Sequence, residues 1–162
     1  MTKEFTKLIA EHQAIIHKIC NIYFWDKSFK EDYFQEIVIE MWKAYPSFQN
    51  KSKFSTWMYR VALNTAIDIL RKEKNLIKTD PLSKKEFNIP APARNPQDTK
   101  QEKLYMAINQ LSDIEKAIIM LYLDDYSYKE IAGIVGISET YTGVKINRIK
   151  TELQKKLNHG NK

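Results

Sequence analysis

Side chains that can bond to DNA bases and phosphates recur along one predicted helix near the end of the chain. Thr140, Tyr141 and Asn147 offer hydroxyl and amide groups to base edges. Positive charge is offered to phosphates by Lys145, Arg148 and Lys150. Between positions 139 and 162, six Lys or Arg residues stand against two Glu residues. These residue types predict contact with a DNA major groove. The candidates in this group are Ser138, Thr140, Tyr141, Gly143, Lys145, Asn147 and Arg148.

The residues before this helix have the spacing of a helix-turn-helix. A short helix is predicted from Tyr128 to Val135, with the small Ala132 where two crossing helices approach closely. Gly136 can adopt the positive φ that ends this helix, and Ser138 can cap the next one. A helix-turn-helix projects the first turns of its second helix into a major groove. The plainer interpretation, a helical hairpin with a solvated basic face, is not excluded by the motif alone.

A second basic surface is predicted on the third helix of the chain. One helical face is shared by Arg60, Asn64, Asp68, Arg71 and Lys72, and seven basic residues stand against two acidic ones between positions 50 and 78. Cations interleaved with aromatic residues suit single-stranded DNA, because the charges follow the backbone while rings and amides receive unstacked bases. Helical spacing places Phe54 and Trp57 in the core. The candidates for DNA contact are therefore Phe48, Asn50, Lys51, Lys53, Arg60, Asn64, Arg71 and Lys72.

Acidic side chains crowd the second predicted helix. Four carboxylates and one amide occur there within ten positions, and no Lys or Arg interrupts them. Because such a face repels DNA, its partner is expected to be a protein surface that presents Arg or Lys. Taken alone, the pattern favours the simpler interpretation of solvated helix residues, helped near the helix start by the helix dipole. These residues are Glu31, Asp32, Gln35, Glu36 and Glu40.

No arrangement of residues indicates a catalytic or metal site. His12, His17 and His159 have no Cys partners at metal-ligand spacing, and Asp124–Asp125 precedes a helix, where it is expected to cap a turn. No Gly-rich phosphate loop and no nucleophile elbow occurs. The single Cys20 rules out an intrachain disulfide and is typical of a small buried residue. We therefore predict no enzymatic activity, no cofactor and no bound metal.

Three helices are predicted to position the surfaces in the first half of the chain. Apolar residues recur there at three- and four-residue steps in three stretches before position 75. Ser28 and Glu31 predict a capping box at the start of the second helix, and Pro46 predicts its end. Beyond position 75 the pattern collapses into a polar stretch with prolines at 81, 90, 92 and 96, which predicts an extended linker.

The second half of the chain contains further helix-start signals. Ser112 with Glu115, and Ser127 with Glu130, each predict a capping box before an apolar run. The last helix has an apolar stripe that is expected to be buried. The residues of this stripe are Thr142, Ile146, Ile149, Leu153 and Leu157.

These elements predict an all-α protein with two small helical domains. A three-helix domain is expected over residues 1–75, a Pro-rich linker over 76–99 and a helix-turn-helix domain over 100–162. The chain of 162 residues is 43% hydrophobic, enough for two cores, and its net charge of +6 fits a polyanionic partner without requiring one. No signal peptide and no run of 18 apolar residues occurs, so we expect no membrane insertion and a cytoplasmic location.

Three stretches resemble the extracytoplasmic-function (ECF) group of bacterial sigma factors. Residues 32–36 (DYFQE), followed by Met41-Trp42 and Pro46-Ser47-Phe48, resemble the polymerase-binding segment of that family. Residues 54–71 (FSTWMYRVALNTAIDILR) are similar to its promoter-melting segment almost residue for residue. Residues 111–148, with YKEIA at 128–132 and GIS at 136–138, resemble its fourth conserved region. The segments also follow the order that the family has.

The resemblance implies a transcription initiation factor that binds core RNA polymerase, directs it to promoters and assists strand opening. It implies that a loop at residues 48–53 holds a base flipped from the minus-ten element, that the third helix flanks that strand, and that the last helix contacts the minus-thirty-five element. An inhibitory anti-sigma factor is common in the family, although no residue of this chain indicates one. The resemblance assigns polymerase binding to Asp32, Gln35, Glu36, Ile39 and Glu40.

Two positions depart from the family pattern. Many members have a branched apolar residue where Thr142 stands and a basic or polar residue where Gly143 stands. A glycine inside a helix costs about 1 kcal/mol relative to alanine. A glycine also permits close backbone approach, and the family's usual DNA contact at this second position cannot be assumed for Gly143.

Two other functional classes fit parts of the sequence. A helix-turn-helix regulator with a sensory first domain would need a pocket or a carboxylate cluster on strands, and the sequence predicts neither strands nor Gly-rich turns there. An enzyme acting on nucleic acid would need the catalytic groups that are missing. A regulator is expected to bind duplex DNA directly, whereas a sigma factor is expected to need the polymerase.

Overall fold

The computed structural model describes residues 2–79 and 99–159, and every regular element within these ranges is a helix. The chain forms two compact units, Met1–Ala93 and Arg94–Lys162. The first unit contains α1 (Thr2–Tyr23), α2 (Lys30–Ala44), a short 3-10 helix (Tyr45–Ser47) and α3 (Phe54–Thr79). The second unit contains α4 (Thr99–Asn109), α5 (Asp113–Leu123), α6 (Tyr128–Val135) and α7 (Glu139–His159). The predicted all-α fold of two small helical domains is confirmed.

The third helix is longer than the sequence pattern predicts. It continues to Thr79, whereas the pattern placed its end near residue 75. No proline or glycine occurs between Asn75 and Thr79, so the backbone can stay helical until Pro81 disfavours the helical conformation of the residue before it. The rest of the predicted linker, residues 80–98, lies outside the described residues. The domain limits at 75 and 99 therefore stay a prediction.

The core of the first unit forms where the apolar stripes of α1, α2 and α3 meet. Cys20 belongs to this core, as predicted, with 3% of its surface exposed. Burial raises the pKa of its thiol to about 11, so the thiol stays protonated near neutral pH and packs as a small apolar group. Other side chains of this core have no exposed surface: Ile16, Ile19, Phe24, Ile37, Met41, Met58, Ala62 and Ala66.

The predicted capping box at the start of α2 is wrong. The helix begins at Lys30, and Phe29 holds the N-cap position without a side-chain cap, so Ser28 lies one residue too early to serve. Contacts between helices fix this start, because the Tyr33 hydroxyl in the first turns of α2 donates a hydrogen bond of 2.7 Å to Glu73 of α3. Tertiary packing therefore overrides the local capping signal.

Phe54 and Trp57 are half-buried, and the prediction that they lie in the core is wrong. Their ring centroids lie 5.4 Å apart, and both rings contact Tyr45 and Phe48 at centroid distances between 5.3 and 6.5 Å. The four rings form a cluster beside the loop that leads into α3. They pack there because the first turn of α3 faces the 3-10 helix and its loop as well as the other helices.

The core of the second unit follows the predicted stripe of α7. Thr142 is fully buried, and its hydroxyl donates to the backbone oxygen of Ser138 at 2.8 Å, so this polar group is satisfied inside the core. Leu153 is buried and Leu157 half-buried, which confirms the stripe. Ile146 and Ile149 of the stripe have no exposed surface, and neither do their core partners Ile118 and Leu121 of α5 and Ile131 of α6.

Local signals define the helix starts in the second unit. Ser127 accepts from the Glu130 N–H at 3.1 Å while the Glu130 carboxylate accepts from the Ser127 N–H at 2.9 Å, so the predicted capping box is confirmed. Ser112 accepts from the Glu115 N–H at 3.3 Å, but its hydroxyl also donates to the Glu115 carboxylate at 2.8 Å. Only the serine half of that predicted box forms.

Candidate nucleic-acid and protein interfaces

The turn between α6 and α7 has the predicted helix-turn-helix geometry. Gly136 ends α6 with a φ of 84°, and its N–H donates to the Ala132 oxygen at 2.9 Å. A residue with a Cβ rarely adopts this φ, which explains the glycine. Ser138 then caps α7, because its hydroxyl accepts from the Tyr141 N–H at 3.1 Å. The turn thus fixes the direction in which α7 leaves the core.

One face of α7, here called the recognition face, is left free by this packing. Its exposed members include Thr140, Tyr141, Asn147 and Arg148, and the Lys145 ammonium lies 5.6 Å from the centre of the Tyr141 ring. Hydroxyl, amide and guanidinium groups therefore lie on the exposed part of α7, and the half-buried Lys145 lies beside the buried stripe. The face comprises the predicted residues Ser138, Thr140, Tyr141, Gly143, Lys145, Asn147 and Arg148, of which Gly143 and Lys145 are half-buried.

Gly143 is covered by a ring that the sequence pattern did not single out. A Cβ at this position would lie 3.4 Å and 3.5 Å from two carbons of the Tyr128 ring. Tyr128, in the first turn of α6, is itself 38% exposed. The close backbone approach that a glycine allows is therefore made by an aromatic side chain of the same unit. The only sequence feature that points to this contact is the aromatic residue type at the start of α6.

The basic face of α3 consists of Arg60, Asn64, Arg71 and Lys72, which are all exposed. Arg71 lies 3.8 Å from Asp68, a surface ion pair of small energetic effect. The other side of α3 packs into the core through its small and apolar residues. Cationic and amide groups are therefore aligned along one exposed helix face, as predicted.

An open cleft of about 510 Å³, here called the loop cleft, lies beside the loop that follows the 3-10 helix. The predicted residues Phe48, Asn50 and Lys53 line it, and Lys51 is exposed nearby. Asn50 has a φ of 56°, a conformation that asparagine tolerates better than most residues. Phe48 is half-buried within the aromatic cluster, so only part of its ring is available to a ligand.

The acidic face of α2 consists of Glu31, Asp32, Gln35, Glu36, Ile39 and Glu40. Asp32, Gln35 and Glu36 are exposed, and 52% of the Ile39 surface is exposed beside them. Glu40 differs, because it is half-buried and its carboxylate accepts from the Lys43 ammonium at 2.9 Å. The unneutralised charge of this face is therefore concentrated in the first half of α2.

Two absences can be stated for the part of the chain that the structure describes. It contains no group of three or more His, Cys, Asp and Glu side chains that could hold a metal ion. Among its helices, none is long and apolar enough to cross a membrane.

Two family models match the chain, one in each unit. The model of sigma-70 region 2 matches residues 8–76, and the model of sigma-70 region 4 matches residues 101–153. The first match contains α2, the basic face and the predicted residues Phe48, Asn50 and Lys53 of the loop cleft. The second contains the helix-turn-helix and the recognition face.

Several relatives align over most of the chain. The ECF RNA polymerase sigma factor SigW of Bacillus subtilis is 28% identical over 94% of this chain and 88% of its own length. The ECF RNA polymerase sigma factor SigM of the same organism is 29% identical over 83% of each chain. The ECF RNA polymerase sigma-E factor of Escherichia coli is 28% identical over 82% of this chain and 75% of its own.

Solved structures share the fold. The sigma factor RpoE of Bartonella quintana, crystallised with the anti-sigma factor NepR, superimposes with a TM-score of 0.73 at 20% identity, over 96% of this chain and 98% of its own. CnrH, solved in complex with the cytosolic domain of CnrY, gives a TM-score of 0.69 at 17% identity, over 98% of this chain and 90% of its own.

The chain belongs to the sigma-70 family of RNA polymerase sigma factors, in the extracytoplasmic-function group. It is a promoter-specific transcription initiation factor whose partners are core RNA polymerase and promoter DNA. The family is one of non-catalytic transcription factors, so the chemistry of RNA synthesis belongs to the polymerase.

Proposed function

We propose that the surfaces described above divide the steps of initiation among themselves. The acidic face of α2 binds a basic surface of core RNA polymerase. The loop cleft and the basic face of α3 bind the minus-ten element as it melts. The recognition face of α7 contacts the minus-thirty-five element as duplex. Because both partners of such a factor occupy the bacterial cytoplasm, the protein is expected to act there, without a catalytic residue or cofactor of its own.

The observation that supports this proposal best is the separation of charge between two helices of the first unit. The exposed charged residues in the first half of α2, Glu31, Asp32 and Glu36, are all acidic, whereas the exposed face of α3 presents Arg60, Arg71 and Lys72. DNA attracts the second surface and repels the first. A protein that must hold a basic protein surface and a DNA strand at once needs both.

The loop cleft supports a role in strand opening. Its volume of about 510 Å³ falls in the range of small-molecule sites, which is ample for one extruded base. Asn50 offers an amide to a base edge, Lys53 offers a cation to a phosphate, and the exposed part of Phe48 offers a ring for stacking. These are the groups by which proteins hold unstacked bases.

Removing charge from the acidic face tests the polymerase-binding role. The variant Asp32→Ala with Glu36→Ala is expected to bind core RNA polymerase about tenfold more weakly, which corresponds to about 1.4 kcal/mol. Glu4→Ala with Glu11→Ala is the matched control, because it removes two exposed carboxylates from α1 of the same unit. Affinity is measured by titrating labelled full-length protein with core enzyme. Equal affinities for the two variants would refute the assignment of α2.

An inhibitory protein partner is a second proposal. RpoE of Bartonella quintana was solved with the anti-sigma factor NepR, and this chain shares its fold. A protein that covers the acidic face or the basic face of the first unit would prevent formation of the polymerase complex, so either face is a suitable target for inhibition.

A further inference from the structure

Phe29 is an exposed aromatic residue at the start of α2. Its surface is 72% exposed, the largest fraction among the exposed large hydrophobic residues in the part of the chain that the structure describes. Apolar residues scattered singly on a surface are common, so exposure alone implies no function. The backbone and the surroundings of Phe29 separate it from that background.

The backbone of Phe29 is in the left-handed helical region, with φ 62° and ψ 48°. Among the described residues, two other non-glycine positions have a positive φ, Asn50 and Asp125. Asparagine and aspartate visit this region readily because their short polar side chains bond locally, whereas phenylalanine has no such compensation. Phe29 also stands at the N-cap, where its backbone oxygen accepts from the Asp32 N–H at 3.0 Å but its side chain offers no oxygen to the remaining free N–H groups of α2. The residue type is therefore poorly suited to the local structure on two counts.

The position of Phe29 extends the acidic face. Asp32, Glu36 and Ile39 follow one another at steps of four and three residues and form one stripe of exposed side chains on α2, and Phe29 immediately precedes the helix at the N-terminal end of this stripe. A cleft of about 300 Å³ lies at the N-terminal end of this stripe, and its wall includes Phe29, Asp32 and Glu36. An apolar ring thus stands directly beside the carboxylates.

We propose that Phe29 is an aromatic anchor for core RNA polymerase. Its ring packs against a cationic side chain on the basic polymerase surface that the acidic face binds. An aromatic ring beside carboxylates suits an Arg or Lys side chain in two ways. The face of the ring packs against the alkyl stem and attracts the cation, and the carboxylates bind the charged end. Aromatic residues dominate the binding energy of many interfaces. This inference rests on the polymerase-binding role proposed for α2.

The substitution Phe29→Asn separates binding from folding. Asparagine suits both the left-handed conformation and the N-cap, so the variant is expected to unfold at a higher temperature than the natural chain. Its affinity for core RNA polymerase is expected to fall about tenfold. The matched control is Phe29→Tyr, which keeps the ring and is expected to bind like the natural chain. Full-length proteins are used, with thermal unfolding and titration with core enzyme as the two measurements.

Each outcome decides the inference. The anchor is supported if Phe29→Asn unfolds at a higher temperature but binds core RNA polymerase more weakly, and if Phe29→Tyr binds like the natural chain. The anchor is overturned if Phe29→Asn is stabilised and binds core RNA polymerase with unchanged affinity. It is also overturned if Phe29→Asn is destabilised, because the ring would then contribute to the fold. Measuring Asp32→Ala with Glu36→Ala alongside distinguishes the two proposals. If that variant binds weakly and Phe29→Asn does not, only the anchor fails; if neither is weakened, the role of α2 fails.

Discussion

At the scale of single residues, the contact between Gly143 and Tyr128 decides what a side chain at position 143 can do. The Tyr128 ring lies at ordinary van der Waals distance from the place of a Cβ, 3.4 Å at the nearest carbon. A methyl group therefore fits, and it would add contact with the ring without displacing it. A longer side chain would have to pass the ring to reach DNA.

Gly143→Ala is accordingly expected to stabilise the second unit. Alanine favours the helix over glycine by about 1 kcal/mol, and the new methyl group meets no clash. Unfolding of the full-length protein by urea, followed by circular dichroism, measures the change.

Gly136→Ala is the matched comparison for this substitution. It adds the same methyl group where the φ is 84°, and it is expected to destabilise the protein by about 1–2 kcal/mol. A destabilised Gly143→Ala would contradict the described contact with Tyr128.

Residue-scale prediction succeeds where the backbone itself demands a residue type. Gly136 was predicted because a helix that ends in a tight turn needs a positive φ, and Ser127 with Glu130 because their spacing satisfies two free N–H groups of a helix start. The capping box predicted for Ser28 is wrong, and the sequence pattern revealed neither the N-cap position of Phe29 nor the contact of Tyr128 with Gly143. Each of these depends on how the chain packs against residues distant in sequence.

At the scale of elements, α7 carries the residues proposed to contact DNA near its start and further basic residues near its end. Arg148 lies on the recognition face, whereas the exposed Lys155 lies nearly two turns further along the helix. Equal charges are therefore available inside and outside the proposed contact with DNA.

Arg148→Ala is expected to weaken promoter binding by the complex of this protein with core polymerase, and to reduce the slope of log affinity against log salt by about one. Lys155→Ala removes one exposed positive charge from the same helix and is expected to leave both quantities nearly unchanged. Filter binding at several salt concentrations provides the measurement. Identical effects of the two substitutions would show a nonspecific charge effect in place of a defined contact.

Element boundaries were predictable to different degrees. The end of α2 next to Pro46 and the start of α6 follow from local chemistry, so the sequence locates them well. The start of α2 depends on the hydrogen bond between Tyr33 and Glu73, which lie far apart in the sequence. A local sequence pattern does not reveal that pairing. The half-burial of Phe54 and Trp57 has the same origin, because their neighbours Tyr45 and Phe48 belong to the preceding segment.

At the scale of the whole molecule, two helical units each expose a surface suited to DNA, and the first also exposes one that DNA repels. The sequence predicted this organisation because helical apolar stripes, clustered charge and the Pro-rich segment are all visible without tertiary contacts. The individual base and phosphate contacts stay a prediction, since they depend on the bound DNA and polymerase. The dependence on polymerase is the property that distinguishes this chain from a simple regulator.

Selection of genomic DNA fragments tests this dependence most directly. Fragments are incubated with the protein alone, with core RNA polymerase alone and with both, and the retained DNA is sequenced. We expect fragments that share a minus-ten and a minus-thirty-five element to be enriched only when both proteins are present. Tight enrichment of the same fragments by the protein alone would contradict the account.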